Sequence, residues 1–510
     1  MPFATPFSRR HFLKSSLALG AASAVSPGLL RAAETVMHPI GAFPRDRLPV
    51  PVLPAEPGFV DLYWKAWELA WDHIISSPGA PQTPYLDEAA NLHRIWIWDT
   101  CFMSLFCRYG ADVFPGIESL ENFYVPMHGD VESPLVIRHW DNPPLFAWIE
   151  LEHFRHTGDL ARIRRLLEDK QYLQKHYAYF ENTPAFTPDG VDVVARRDGP
   201  GYRWSGNPSG MDNTPRGEGD YDGILWVDAI AQQALSARCI AELARAIGRT
   251  DIAADFDARF NAQQTTINRH YWDREDGFYY DIGVNAPHAF CKVRTPASYW
   301  PMLAGVCDDE QAAALHRRAE DPQWFGGPIP WPTVDRESPH FSPKGFYWRG
   351  GVWLPTAYMG IKALGRHGYL DTARTMSTNL IRQMEITYRE VTPHTIWETY
   401  SPTANEPSTK KDNKNLVRKD FCGWSALGPI SLLIENVLGF DAIDATARTV
   451  RWTKSRTDRH GIRQLRFGPV TTDILADGDM ISVQSDGDYT LTVNGRTFAI
   501  TAGAQTLQLA

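Results

Sequence analysis

Residues 224–247 read ILWVDAIAQQALSARCIAELARAI, and beyond Gly248-Arg249-Thr250 the chain resumes at 251–271 with DIAADFDARFNAQQTTINRHY. Apolar side chains return every three or four positions through both stretches, the period of an α-helix that buries one stripe. Gly248 supplies the stop after the first helix, since a helix commonly ends on a left-handed glycine. The pair therefore predicts a helical hairpin. The same period recurs at 59–75, 99–109, 143–156, 159–180 (with Asp159 as its N-cap), 296–306, 309–319, 351–365, 369–385 and 421–438. Short turns alternate with long loops rich in glycine, proline and aromatic residues. Paired helices joined in this way predict a mainly α fold, an (α/α)6 toroid of hairpins over residues 58–440. A helical repeat array would show the same periodicity, but no fixed-period repeat is present.

Outside that stretch the character changes. Residues 449–452, 462–467, 480–483, 489–493 and 497–500 are short runs rich in β-formers, separated by Asp477-Gly478, Asp486-Gly487 and Asn494-Gly495. They predict a small C-terminal antiparallel β domain at 441–510, structural by default. Residues 34–57 are proline-rich and predict an extended lead segment on the surface. Ser8-Arg9-Arg10-His11-Phe12-Leu13-Lys14, followed by a weakly apolar Ala/Leu/Ser stretch, reads as a twin-arginine signal peptide over 1–33. The mature chain is then periplasmic or secreted, with no membrane segment after cleavage.

Composition narrows the partners. The formal net charge is −9 with no long basic run, which argues against nucleic acid or an anionic membrane as a partner. The chain carries 18 Trp and 19 Tyr. Their flat apolar faces and polar edges suit a sugar ring, although large helical proteins also bury many aromatics. The six cysteines are scattered and form no C-x-x-C pair, so neither a disulfide framework nor a zinc site is legible. Nothing sets an oligomeric state.

The unusual sequence lies in the long loops. Residues 204–215 present Asp212 between Met211 and Asn213, among glycines and prolines. Residues 395–402 set Glu398 beside Trp397 and Tyr400. Residues 347–353 run Tyr347, Trp348, Arg349, two glycines, Val352 and Trp353. Trp96-Ile97-Trp98-Asp99 precedes a helix, and Phe421-Cys422-Gly423-Trp424-Ser425 opens the last one. Glycosidic bonds are cut by a pair of carboxyl groups, one protonating the leaving oxygen and one acting on the opposite face of the ring. A carboxyl held among aromatics can stay protonated near neutral pH. Residue chemistry alone does not choose the pair among 60 acidic side chains.

Together, and in this order, the loops resemble those of the (α/α)6 inverting glycoside hydrolases that include the family 63 α-glucosidases, bacterial mannosylglycerate hydrolases and, more remotely, trehalases. The likeness spans roughly residues 95–439. It implies that Asp212, within Ser209-Gly210-Met211-Asp212-Asn213, is the general acid and that Glu398, within residues 397–402, is the general base. It implies a carboxyl spacing of about 6.5–9.5 Å, the inverting geometry. It also implies a sugar pocket formed by Trp96, Trp98, Asp99, Asn213, Tyr347, Trp348, Arg349, Trp353, Trp397, Tyr400 and Trp424. No metal or organic cofactor is demanded. The substrate so implied is an oligosaccharide or other glycoside, an α-glucoside or a related α-glycoside. Arg349 could equally make a structural ion pair, Asp99 could be a plain N-cap, and the tryptophans could be core. Lys410, Lys411 and Lys414 read as a solvated loop. Two other functions fit parts of the pattern: a polysaccharide lyase recruiting His139, Tyr347 and Arg349, and a non-catalytic carbohydrate-binding protein.

Overall fold

The computed structural model describes residues 36–37, 41–88, 93–129, 131–182 and 195–509. The signal peptide lies outside the described residues. The rest of the chain, Thr35–Ala510, forms one unit.

The described residues contain twelve α-helices: α1 (Pro57–Asp72), α2 (Ile97–Cys107), α3 (Glu121–His128), α4 (Phe146–Thr157), α5 (Leu160–Arg164), α6 (Tyr172–Glu181), α7 (Val227–Ala246), α8 (Thr250–His270), α9 (Trp300–Ala304), α10 (Asp309–Glu320), α11 (Leu354–Arg366) and α12 (Leu370–Glu390). A 3-10 turn, Trp424–Leu427, leads into a terminal helix of π type, Gly428–Val437. Burial sorts these helices into two kinds. Every residue of α2 is buried, and α7 is buried on nearly every side, as expected of helices enclosed by others. By contrast α8, α10 and α12 bury a single stripe and turn their charged faces outward. The well-buried segments touch in sequence: α2 packs on α4, α4 on α7, α7 on α9, α9 on α11, α11 on Trp424–Leu427, and that turn on α2 again. The hairpin expected from 224–271 is α7 against α8, closed at Gly248 with φ +78°.

The C-terminal strands form two sheets. Numbering from the lead segment, β1 is Val50–Val52, β2 Ala442–Asp444, β3 Thr449–Trp452, β4 His460–Phe467, β5 Val470–Asp477, β6 Met480–Ser485, β7 Tyr489–Val493, β8 Arg496–Ile500 and β9 Gly503–Gln508. One sheet has the order β1-β4-β5-β6-β9 and is antiparallel throughout; the other has the order β2-β3-β7-β8. The expectation of purely antiparallel pairing is corrected at one place, because β3 and β7 are parallel with Val450 opposite Leu491. The lead segment is not merely laid on the surface, and it includes a 3-10 turn at Arg45–Arg47. β1 pairs with Gly461, Ile462 and Arg463 of β4, and Leu48 and Leu53 beside it are buried.

Two helical readings also change. Residues 159–180 were expected as one helix; Asp159 does cap α5, accepting the Arg162 N–H at 2.9 Å, but a π turn (Arg165–Asp169) and Gln171 at φ +56° separate α5 from α6. Asp99 lies inside the first turn of α2, whose N-cap is Trp96, so the reading of Asp99 as a plain cap fails.

Candidate active site

Three of the buried helices, α2, α11 and the terminal helix, begin at one cavity and end at another. A small cavity of about 220 Å³ takes its lining from the starts of α2 (Trp98, Asp99), α11 (Trp353 just before it) and the terminal helix (Trp424), and from the loops between. At the far ends, Arg108, His156, Lys362 and Glu435 face a larger cavity of about 850 Å³. Helix N-termini carry partial positive charge, so the small cavity is the end at which carboxylates are favoured.

Four tryptophans build its wall. Trp348 stacks on Trp353 at 4.0 Å between ring centroids, Trp98 lies 5.7 Å from Trp348 and 5.8 Å from Trp424, and Trp353 lies 5.4 Å from Trp424. Each is therefore both core and cavity wall, which dissolves the choice posed by the sequence. Trp96 lines the cavity at a half-buried position.

Asp212 comes from a loop whose conformation its glycines make possible. A Cβ on Gly206 would sit 2.2 Å from the Asp212 carbonyl oxygen, and one on Gly210, at φ +82°, 2.6 Å from the Trp98 ring. Ser209 accepts the Met211 N–H at 3.3 Å, and Asn142 donates to the Pro208 carbonyl at 2.7 Å. Behind the loop, Arg216 is buried between Asp228 and Asp281, with 2.7 Å contacts to each. Burial pushes the Asp212 carboxyl above its ordinary range. Lys411, with Nζ 2.6 Å from Oδ2, opposes that rise.

Glu398 sits deeper, 2% exposed. Its Oε1 accepts the Tyr347 hydroxyl at 2.9 Å and its Oε2 accepts the Arg418 backbone N–H at 3.1 Å. Both oxygens act as acceptors, the pattern of a carboxylate. The Glu398 backbone is fixed as well: its N–H donates to the Arg418 carbonyl at 2.9 Å, and its carbonyl accepts from the Trp424 indole at 3.0 Å and the Ser425 hydroxyl at 3.1 Å.

Two more carboxyls line the cavity. Glu88, paired with Arg418 at 3.0 Å, is pushed up to about 8 by burial, against the pull of that guanidinium. Asp99 is raised well above the carboxylate range by burial and by Glu88, and its Oδ2 finds no hydrogen-bond partner among the described residues.

Of the residues singled out from sequence, Asp212, Glu398, Trp96, Trp98, Asp99, His139, Tyr347, Trp348, Trp353 and Trp424 line this one cavity. Asn213, Arg349, Trp397 and Tyr400 are not in its lining. Arg349 pairs with Glu218 and donates to the Asn213 carbonyl at 3.1 Å. The Tyr400 hydroxyl accepts the Trp397 N–H at 3.2 Å, and the Asn213 amide is spent on the 346–348 backbone. Sequence reading missed Glu88, Arg94, Arg138, Asn142, Asn207, Lys411 and Arg418 as lining residues. Asn142, just before Pro143-Pro144, and Arg94, just before the Trp96 motif, had a positional signal; Lys411 and Arg418 had none.

Residues 138–415 match the Mannosylglycerate hydrolase MGH1-like glycoside hydrolase domain, over half of the chain, and the protein belongs to that family of glycoside hydrolases. Residues 6–26 match the signal sequence of the twin-arginine translocation pathway, which marks the chain for export. No described helix is long and apolar enough to cross a membrane. An uncharacterized protein of Borreliella burgdorferi is 26% identical over 463 residues, covering 86% of this chain and 92% of that protein. Mannosylglycerate hydrolase of Thermus thermophilus is 35% identical over 118 residues, which is 22% of this chain and only 27% of that enzyme. A crystal structure of the family 63 mannosylglycerate hydrolase from Thermus thermophilus, in complex with glucose, superposes with a TM-score of 0.55 at 18% identity. It covers 72% of this chain and 99% of its own.

Proposed function

We propose that the protein hydrolyses a small α-glycoside with inversion, Asp212 acting as general acid and Glu398 as general base, at one end of an (α/α)6 barrel formed by residues 58–440 and followed by a β domain at 441–510. The observation that carries this reading is the unequal setting of two carboxyls on one tryptophan-walled cavity. Asp212 is raised by burial, as a group that must arrive protonated requires. Glu398 accepts a hydrogen bond on each oxygen, as a group that must take a proton from water requires. The closed circuit of buried helices supports the barrel.

The lining suggests the substrate class. Ligand pockets for drug-sized molecules run to about 300–1,000 Å³; this one, at about 220 Å³, suits a single sugar ring with a small aglycone or the end of a chain. The open Asp99 oxygen would accept from ring hydroxyls. Arg94 and Arg138 at the same cavity, beside Lys411 and Arg418 that are paired with Asp212 and Glu88, favour an aglycone that carries a carboxylate, as mannosylglycerate does. A lyase reading is weaker, because Arg349, its uronate neutraliser, is bound to Glu218 and lies outside the lining.

The test is turnover of mannosylglycerate, trehalose and a panel of α- and β-glucosides, with the anomeric proton followed by NMR beside Asp212→Asn and Glu398→Gln. Release of the inverted anomer, reduced about 10²–10⁴-fold in both variants, is the expected result. Release of the retained anomer, or undiminished turnover in either variant, overturns the assignment.

A further inference from the structure

We infer that Asn213 is a positioning residue that holds the Tyr347 hydroxyl on Glu398, so that the loop presenting the acid also sets the geometry of the base. This rests on the roles given above to Asp212 and Glu398.

The Asn213 side chain brackets one residue. Its Nδ2 donates to the Phe346 carbonyl at 2.9 Å, and its Oδ1 accepts the Trp348 N–H at 2.8 Å. These are the backbone groups on either side of Tyr347, the pair that a neighbouring β-strand would bond. The bracketed backbone needs holding. Phe346 and Tyr347 both lie in the left-handed region, at φ +40° and +63°, where bulky residues are rarely found. Thr409 supports the same turn, accepting the Phe346 N–H on its hydroxyl at 3.1 Å and the Tyr347 N–H on its carbonyl at 2.8 Å. The Trp353 indole donates to the Tyr347 carbonyl at 3.1 Å. The strained conformation is what aims the Tyr347 ring, edge-on to Trp353 at 4.7 Å, with its hydroxyl 2.9 Å from Glu398 Oε1.

The residue type is specific to the task. Bonding a carbonyl and an N–H on one strand requires a donor and an acceptor on one planar group, which Asn supplies and Asp, as a carboxylate, does not. Nor is Asn213 placed to bind sugar, since it is absent from the cavity lining. Because Asp212 and Asn213 are adjacent, any movement of the acid loop is transmitted through this amide to the hydroxyl on the base.

Four variants test the inference: Asn213→Ala, Tyr347→Phe, their double mutant and Glu398→Gln, with kcat, KM and melting temperature measured on the glycoside that the wild type turns over. Asn213→Ala is expected to lower kcat by about 10²-fold, the effect of roughly an ångström of misplacement, with KM changed much less. The double mutant is expected to be no slower than the slower single variant, because both substitutions break one linkage. Losses that multiply, a loss confined to KM, or a lowered melting temperature at wild-type kcat each overturn the inference. Should Asn213→Ala not fold, Asn213→Asp replaces it, keeping the acceptor and losing the donor, with the same expectations. Wild-type turnover by Glu398→Gln overturns the base assignment itself, whereas a dead Glu398→Gln with multiplying losses overturns only the bracket.

Discussion

Asp212 is held between two opposed influences, and the opposition can be measured. Burial raises its carboxyl and Glu398 adds to the rise, while Lys411 pulls it down. Asp99, Tyr221 and Tyr347 also feel its charge, and none of them is a cation. As the general acid proposed above, Asp212 would lose activity as pH climbs through its pKa, so Lys411 would pull the alkaline limb of the profile down. Lys411→Met is therefore expected to move the alkaline limb of kcat/KM to higher pH; an unmoved limb, or one moved to lower pH, would show that Lys411 does not act on the acid. The sequence concealed this lysine. Residues 410–415 are Lys, Lys, Asp, Asn, Lys and Asn, a composition typical of solvated loops, and the neighbour that matters lies far away in the chain. Asp212 and Glu398 were singled out through the resemblance of their loops to a hydrolase family rather than by residue chemistry; in the Asp212 loop the packing of Gly210 against Trp98 is the local constraint behind that pattern.

At the scale of elements, the Asp212 loop is braced where it enters α7. Arg216 donates to Asp228 in the first turn of that helix and to Asp281 on a neighbouring strand, and its guanidinium lies 4.4 Å above the Trp226 ring. With Arg216 only 1% exposed, its removal strands two buried carboxylates. Arg216→Met is expected to cost about 3–5 kcal/mol of stability, read from denaturant midpoints, and to lower kcat through the displaced loop. A cost below about 1 kcal/mol would mean that the two aspartates are rehydrated at little expense. A lone arginine after Thr214-Pro215 gave no hint of this. Elsewhere α8, α10 and α12 were readable because each buries a stripe, and the failures are physical. β9 has the sequence GAQTLQ with no buried side chain, so its register is carried by backbone pairing with β6. β5 alternates strictly in burial, but with Thr and Asp between its apolar residues. The π turn of Arg165–Asp169 leaves the apolar spacing around it nearly helical.

For the molecule as a whole, the open question is whether the helices can do without the strands. The composition shifts near residue 440, yet the chain from Thr35 to Ala510 is one unit and the bonds across that point join residues that no local pattern links. Arg155 and His156, in the last turn of α4, have their carbonyls satisfied by the N–H groups of Ala445 at 2.6 Å and Gly468 at 2.9 Å. Trp452, fully buried, stacks on Phe440 at 4.9 Å and donates to the Leu438 carbonyl at 2.7 Å. At the other end of the chain, β1 pairs into the sheet of β4. Deleting 441–510 would thus uncap a helix whose start lies near the tryptophan-walled cavity and expose the apolar surface beneath Trp452. Loss of a buried tryptophan alone costs about 3–5 kcal/mol, a large part of a total stability of about 5–15 kcal/mol. The mature chain is accordingly expected to melt in one calorimetric transition, and a fragment ending at residue 440 to show neither a cooperative transition nor turnover, although every carboxyl of the cavity remains in it. A fragment that melts cooperatively and keeps wild-type kcat would mean that the strands are an appendage and that α4 can satisfy its own last carbonyls with water.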